Sequence, residues 1–235
     1  MPLATLVTPV AKRQTLGADV YQQIRELLMT GRLMPGELIS LRTTAEALGV
    51  SVMPVREAMY QLVAEQALEI SPNRAIRVPL TRVSQFREIT AIRVHIESLA
   101  VERAAEQATS ALIDEMRGWN DRLEREMTLK KPDASKLIAC NKEFHFSAYR
   151  AAGMPTLLKM IEGMWLRIGP ILNYDLRGPS ERVARRMAVQ QHLRIIEGME
   201  RRDPAIAAEG LRLDIEGAAE YIVTSGVLVE ADDRG

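Results

Sequence analysis

Cysteine is nearly absent from this chain: Cys140 is the only one among 235 residues. A disulfide framework within the chain is therefore excluded, and a reducing cytoplasm is the expected setting. The lone thiol reads as a small buried apolar side chain rather than a redox group. Excess charge is absent too, since Lys+Arg and Asp+Glu are both 31, so bulk charge argues nothing in favour of nucleic acid. No apolar run approaches the ~20 residues needed to span a bilayer. The N-terminus lacks the charged-then-apolar pattern of a secretory signal. No internal repeat or low-complexity tract appears. The expectation is a soluble cytoplasmic protein, long enough for two modest domains with real cores.

What is present begins with Ser40–Leu62. Ser40 is placed to cap a short helix, with Ala45, Ala47 and Leu48 as its inward side. Gly49 stands where that helix must stop, because glycine enters the left-handed region at little steric cost. Ser51 then caps a second helix whose first turn tolerates Pro54, since early backbone N–H groups have no helical partner. Val55, Ala58, Met59 and Leu62 give that helix one buried side. Helix, glycine turn and capped helix form the plan of a helix-turn-helix DNA reader.

Around this stretch the chain is legible in order. Residues 1–13 hold two prolines and no helical period, and read as a loose arm. A helix is predicted from about Leu16 to Thr30 with Leu16, Val20, Ile24, Leu27 and Leu28 inward, ended by Gly31. Leu68–Ile70 and Ile76–Val78 alternate as short strands around the turn Ser71-Pro-Asn-Arg74, which makes a wing. Asn73 and Arg74 at its tip are candidates for minor-groove or phosphate contact. Pro79–Val83 is the candidate linker. From Ser84 to about Val227 everything reads as helix, with Phe86, Ile89, Ile92, Ile96 and Leu99 as the first stripe. Further helices are predicted near 110–129, 134–152, 156–176, 180–201 and 204–224, separated by Gly and Pro. The fold class is mainly α: a winged helix-turn-helix (14–79), an all-α antiparallel bundle (80–228) and a tail (229–235).

Polar residues on apolar stripes are the informative ones. Asn141 and His145 share a helix face with Leu137, Ile138, Phe144 and Ala148. His192 falls in line with Ala184, Ala188, Ile195 and Met199, and Asp214 with Ala207, Leu211, Ala218 and Tyr221. Three helices thus aim Asn141, His145, His192 and Asp214 at one interior, where imidazole and carboxylate together suit zinc, manganese or nickel. A hydrogen-bonded polar core is the plainer alternative. Arg93 also faces inward, and a buried guanidinium needs an anion: Glu97 one turn on, or a carboxylate ligand.

The segment Leu48-Gly-Val-Ser51-x-x-Pro54-Val-Arg-Glu-Ala58, with Pro35-Gly36 before it and the wing behind it, resembles the recognition segment of the GntR family of bacterial transcription regulators. The helical part resembles the FCD branch of that family, whose Asp-x-x-Phe-His motif appears here as Asn141-Lys-Glu-Phe144-His145. The resemblance implies a homodimeric regulator, most often a repressor, that binds double-stranded operator DNA and answers to a small carboxylate effector. It points to Arg42, Ser51, Val52 and Arg56 as DNA contacts and to Arg93 as an effector contact. Relatives commonly carry Arg at the position of Val52 and Gly at the position of Ala75. FCD proteins typically hold a metal with one Asp and three His; here Asn141 replaces the Asp and Asp214 aligns with the last His. Two other readings are a regulator whose bundle only dimerises and a metal-dependent hydrolase. The enzyme reading has no His-Glu-x-x-His and no evident general base beyond the ligands.

Overall fold

The computed structural model describes residues 16–172, 174–176 and 180–230. The arm at 1–13, the Gly178-Pro179 breaker and the end of the tail lie outside the described residues.

The head begins with α1 (Leu16–Met29), which buries Val20, Ile24, Leu28 and Met29; Leu16, expected inward, is exposed at the helix start. A short strand β1 (Leu38–Ile39) follows, too brief to show alternation in sequence. In α2 (Leu41–Leu48) the Ser40 hydroxyl accepts from Thr43 N–H. Gly49 closes the helix at φ +66°, donating its N–H to Ala45 and Glu46 carbonyls. Ala45 is buried but Ala47 faces solvent. The next helix, α3 (Val52–Ala64), buries Val55, Ala58, Met59 and Leu62 as the spacing predicts, and Ser51 sits at its cap position without a side-chain cap bond. Strands β2 (Glu69–Ile70) and β3 (Ile76–Arg77) complete an antiparallel sheet of order β1-β3-β2, with Ile76 facing both Ile39 and Ile70.

The bundle holds α4 (Val83–Glu106), α5 (Ser110–Met127), α6 (Ala134–Ala151) and α7 (Pro155–Leu172, with Pro170 inside). A 3-10 turn (Tyr174–Leu176), a single turn α8 (Glu181–Ala184), α9 (Met187–Arg201) and α10 (Pro204–Thr224) follow. Thr109, Asp133 and Asp203 side chains accept backbone N–H groups at the starts of α5, α6 and α10. The helix predicted over 180–201 is divided, because Arg186 takes a left-handed φ of +52° that no continuous helix accommodates. Ala184, expected inward, is exposed in consequence.

The linker is not a free tether. Val229 N–H donates to the Thr81 carbonyl and Val83 N–H to the Val229 carbonyl, both at 3.1 Å. Head and bundle also share one apolar cluster, running from Val20, Ile24 and Leu28 through Phe86 and Ile89 to Trp165 and Leu211. Among the described residues two ion pairs bridge them: Lys142 Nζ reaches both Glu26 oxygens at 2.6 and 2.7 Å, and Arg25 meets Glu162 at 3.0 Å. Cys140 is buried in a second cluster with Leu137, Ile138 and Val189.

Candidate DNA-reading head and buried histidine–aspartate centre

On the head, Arg56 is exposed on α3 and makes no ion pair among the described residues. Arg42 is exposed on α2, with its Nε 3.3 Å from Glu46. Ser51 is exposed at the start of α3, whereas Val52 is half-buried against the core. The side chain that stands out beside Arg56 is Met53, 58% exposed, with Tyr60 two turns further along the same face. Sequence reasoning passed over both, since the apolar period of α3 marks only its inner side. In the wing, Asn73 Oδ1 accepts from Ser71 Oγ at 2.5 Å and from Ala75 N–H at 3.3 Å, which ties it into the turn. Arg74 projects from the tip at φ +65°. The glycine-favouring position is therefore Arg74 and not Ala75, and a left-handed arginine costs on the order of 1 kcal/mol.

Inside the bundle, α6, α9 and α10 bring His145, His192 and Asp214 together, with one potential ligand atom from each lying within 4.8 Å of the others. Asn141, one turn before His145, lines the same cavity. His145 Nε2 is 3.2 Å from Asp214 Oδ2, and His192 Nε2 is 4.0 Å from that same oxygen. His192 Nδ1 meets Asn120 Oδ1 on α5 at 3.0 Å. An amide oxygen only accepts, so Nδ1 carries the proton and the lone pair belongs to Nε2. That Nε2 is fully buried without a hydrogen-bond partner. Phe144 stacks on the ring with centroids 3.7 Å apart.

The electrostatics keep both groups in ligand form at neutral pH. Burial pushes His192 down to about 3, against a smaller upward pull from Asp214, so it is neutral. Burial alone would raise Asp214, but the hydrogen bond from His145, with the favourable electrostatics of the two imidazoles and of Arg182 around it, outweighs burial and holds the carboxyl at about 2. A neutral imidazole lone pair, a second imidazole and a carboxylate, with an amide oxygen nearby, suit a divalent cation. The orphaned Nε2 is the observation that such an ion would explain.

Arg93 faces the interior as its spacing predicts, and Glu97 supplies its anion. Arg93 Nε and a terminal nitrogen contact the two Glu97 oxygens at 2.6 and 3.2 Å, and Glu97 is 0% exposed. Tyr149 Oη and Trp165 Nε1 donate to the same carboxylate. Burial, then the Glu97 charge, pushes the Tyr149 hydroxyl well above its ordinary range, so it stays a donor. Arg182 was not anticipated; one of its terminal nitrogens lies 3.6 Å from Asp214 Oδ1. Being on the single turn α8, it belongs to no periodic stripe. Asn120 was detectable, because it falls on the line Met116, Leu123, Met127 of α5.

The cavity at this centre is about 30 Å³, lined by Arg93, Asn141, His145, Arg182 and Asp214 among others. It has room for an ion or a water and not for an organic acid. Two of its walls also touch the head. Helix α6 carries Lys142 beside Asn141, and α7 brings Gly169 against the backbone of Leu28 and Met29 in α1.

A winged helix-turn-helix riding on an all-α bundle with a buried polar centre defines a class: DNA-binding regulators with a separate helical domain. Comparison with known proteins agrees. Residues 16–78 match bacterial regulatory proteins of the gntR family, and residues 88–217 match the FCD domain. The HTH-type transcriptional regulator McbR of Escherichia coli K12 is 35% identical over 163 residues, covering 69% of this chain and 73% of that protein. The E. coli repressor RspR is 22% identical, covering 93% of each chain. The solved structure of E. coli McbR/YncC superposes with a TM-score of 0.82 at 28% identity, covering 90% of this chain and 99% of that one. A GntR regulator from Rhodococcus sp. RHA1 shares the fold, with a TM-score of 0.72 at 16% identity, covering 89% of this chain and 98% of that one. The chain belongs to the GntR family, in its FCD branch, and is a DNA-binding transcription regulator. Regulators of this family bind operator DNA and commonly form dimers. Among the described residues, no helix is long and apolar enough to cross a membrane.

Proposed function

We propose that the chain is a ligand-responsive repressor whose operator affinity is set from the centre in its bundle. The head reads the major groove with the start of α3. Arg56 offers the bidentate guanidinium fork that guanine O6/N7 accepts, Arg42 and Ser51 approach from the helix-turn-helix rim, and the wing brings Asn73 and Arg74 to the backbone or minor groove. With Val52 in place of the usual Arg, an apolar contact such as a thymine methyl replaces one guanine contact at that base, and the neighbouring Met53 reinforces that preference.

His145, His192 and Asp214, joined by Asn141, would hold one divalent cation, either zinc, manganese or nickel. The cation would supply positive charge for a carboxylate effector, with Arg93 and Arg182 on the same cavity wall. Because the cavity is small, an acid enters only as the Arg182–Asp214 contact opens, which frees a guanidinium to meet it. Movement there reaches the head through α6 and Lys142 and through α7 and Gly169. The effector acts by binding one head arrangement better than another. RspR, a relative along nearly the whole chain, is itself named a repressor.

The observation carrying the ligand part is the buried, partnerless Nε2 of His192 facing a carboxylate. Elemental analysis of tag-free protein purified without chelator, beside His192→Ala, tests it. About one metal per chain, lost in the variant, is expected. Metal-free protein that no added zinc, manganese or nickel stabilises against heat would overturn the metal site and leave a polar core.

A further inference from the structure

Not every residue on the inward stripes of the head reaches its core. Leu27 of α1 and Leu48 of α2 are only half-buried, and Ala47 is exposed. All three line a cleft of about 810 Å³ that opens between head and bundle. The head supplies one wall from α1 and α2, and the start of α6 supplies the other, with Ala139 exposed on it. Small-molecule clefts measure about 300–1,000 Å³ and favour domain junctions, so this hollow has the size and the place of one. It shares no lining residue with the cavity of the histidine–aspartate centre. Four charged side chains line it, Glu26, Arg32, Asp133 and Lys136, and the two acids are already engaged. Glu26 holds Lys142 with both oxygens, and Asp133 Oδ1 accepts the Ser135 and Lys136 N–H groups at 2.9 and 3.4 Å. Arg32 is exposed and makes no ion pair among the described residues, while Lys136 meets only Glu126 there, at 3.9 Å. The uncommitted charge of an apolar cleft is therefore positive, one cation on the head and one on the bundle.

We propose that this cleft binds a small amphipathic organic anion, with its apolar body against Leu27, Ala47, Leu48 and Ala139 and its anionic end toward Arg32 and Lys136. Removal of apolar surface from water supplies most of the attraction. The guanidinium and the ammonium supply the preference for negative charge. Such a ligand touches head and bundle at once, so it binds only while the head is docked and holds it there. Thr43 and Thr44 in the lining directly follow Arg42, which places the ligand beside a proposed DNA contact. The site is separate from the centre inside the bundle and stands whether or not that centre takes a metal or an acid.

Fluorescence titration of the full chain with anilinonaphthalene sulfonate tests this, beside phenylnaphthylamine, the same ring system without its sulfonate. One site per chain is expected, with the sulfonate bound roughly tenfold more tightly than the uncharged probe. Arg32→Gln/Lys136→Gln should bring the two probes to equal affinity. Ala139→Trp and Ala47→Trp fill the cleft from opposite walls at exposed positions. Each should weaken the sulfonate roughly tenfold or more, with an unchanged circular dichroism spectrum. His192→Ala should leave the probe bound, which separates this site from the centre in the bundle. Saturating sulfonate should also slow proteolysis between head and bundle. A probe indifferent to both cleft-filling substitutions sits elsewhere and overturns the cleft, and its loss in His192→Ala would move the site into the bundle. Equal affinities of the two probes for the unsubstituted chain would overturn the anion, and unchanged proteolysis would overturn the clamping of the head.

Discussion

Gly169→Ala is the substitution that most directly probes how the bundle holds the head. An added Cβ would lie 2.8 Å from Met29 Cα and 2.9 Å from the Leu28 carbonyl carbon. Both obstacles are main chain at the end of α1, so no side-chain rotation relieves them. Ordinary contact would require α1 and α7 to separate by about 0.5–1 Å. Overpacking of this kind costs about 1–3 kcal/mol, while Ala in place of Gly in a helix returns up to about 1 kcal/mol. Gly163 on the same helix supplies the control, because nothing lies within 4 Å of a Cβ added there. Gly163→Ala should be neutral or slightly stabilising. With the full propensity gain Gly169→Ala should lose about 0–2 kcal/mol, which leaves it about 1–3 kcal/mol less stable than Gly163→Ala, where the same gain meets no obstacle, and the head should be released from its docked position. Urea melts of the two variants measure the first effect. Limited proteolysis between head and bundle, together with operator affinity, measures the second. Equal melts and equal proteolysis for the two variants would refute close docking of α7 on α1.

Two further outcomes are expected. Arg56→Ala should weaken operator binding by about 1–3 kcal/mol, with thermal unfolding of the bundle unchanged; unaltered affinity in a fluorescence anisotropy titration would sink the docking model. Glu97→Ala leaves the Arg93 guanidinium buried without its carboxylate and should cost about 3–5 kcal/mol. The joint replacement Arg93→Met/Glu97→Leu should recover most of that loss, and a double variant as unstable as the single would show that the pair is not the source of the cost.

The sequence by itself determined the order and type of the elements. The cap at Ser40, the stop at Gly49 and the 3.6-residue stripes are local events, decided by residues within a turn or two of one another. It also marked Asn141, His145, His192 and Asp214, because a polar residue on an apolar stripe has nowhere to go but inward. Tertiary structure decided what no local rule contains. The stripe of α4 lost Ile92 and Leu99 to solvent because Arg93 and Glu97 form their pair under Tyr149 and Trp165, residues that are distant in sequence. Arg182 reached Asp214 from a single turn that has no period to read, and β1 was too short to alternate. The lone pair of His192 was left free because Asn120, on another helix, claims the other nitrogen. Periodicity states which way a side chain points; only packing between helices sets what it meets there, and that meeting determines its charge, its partner and its use.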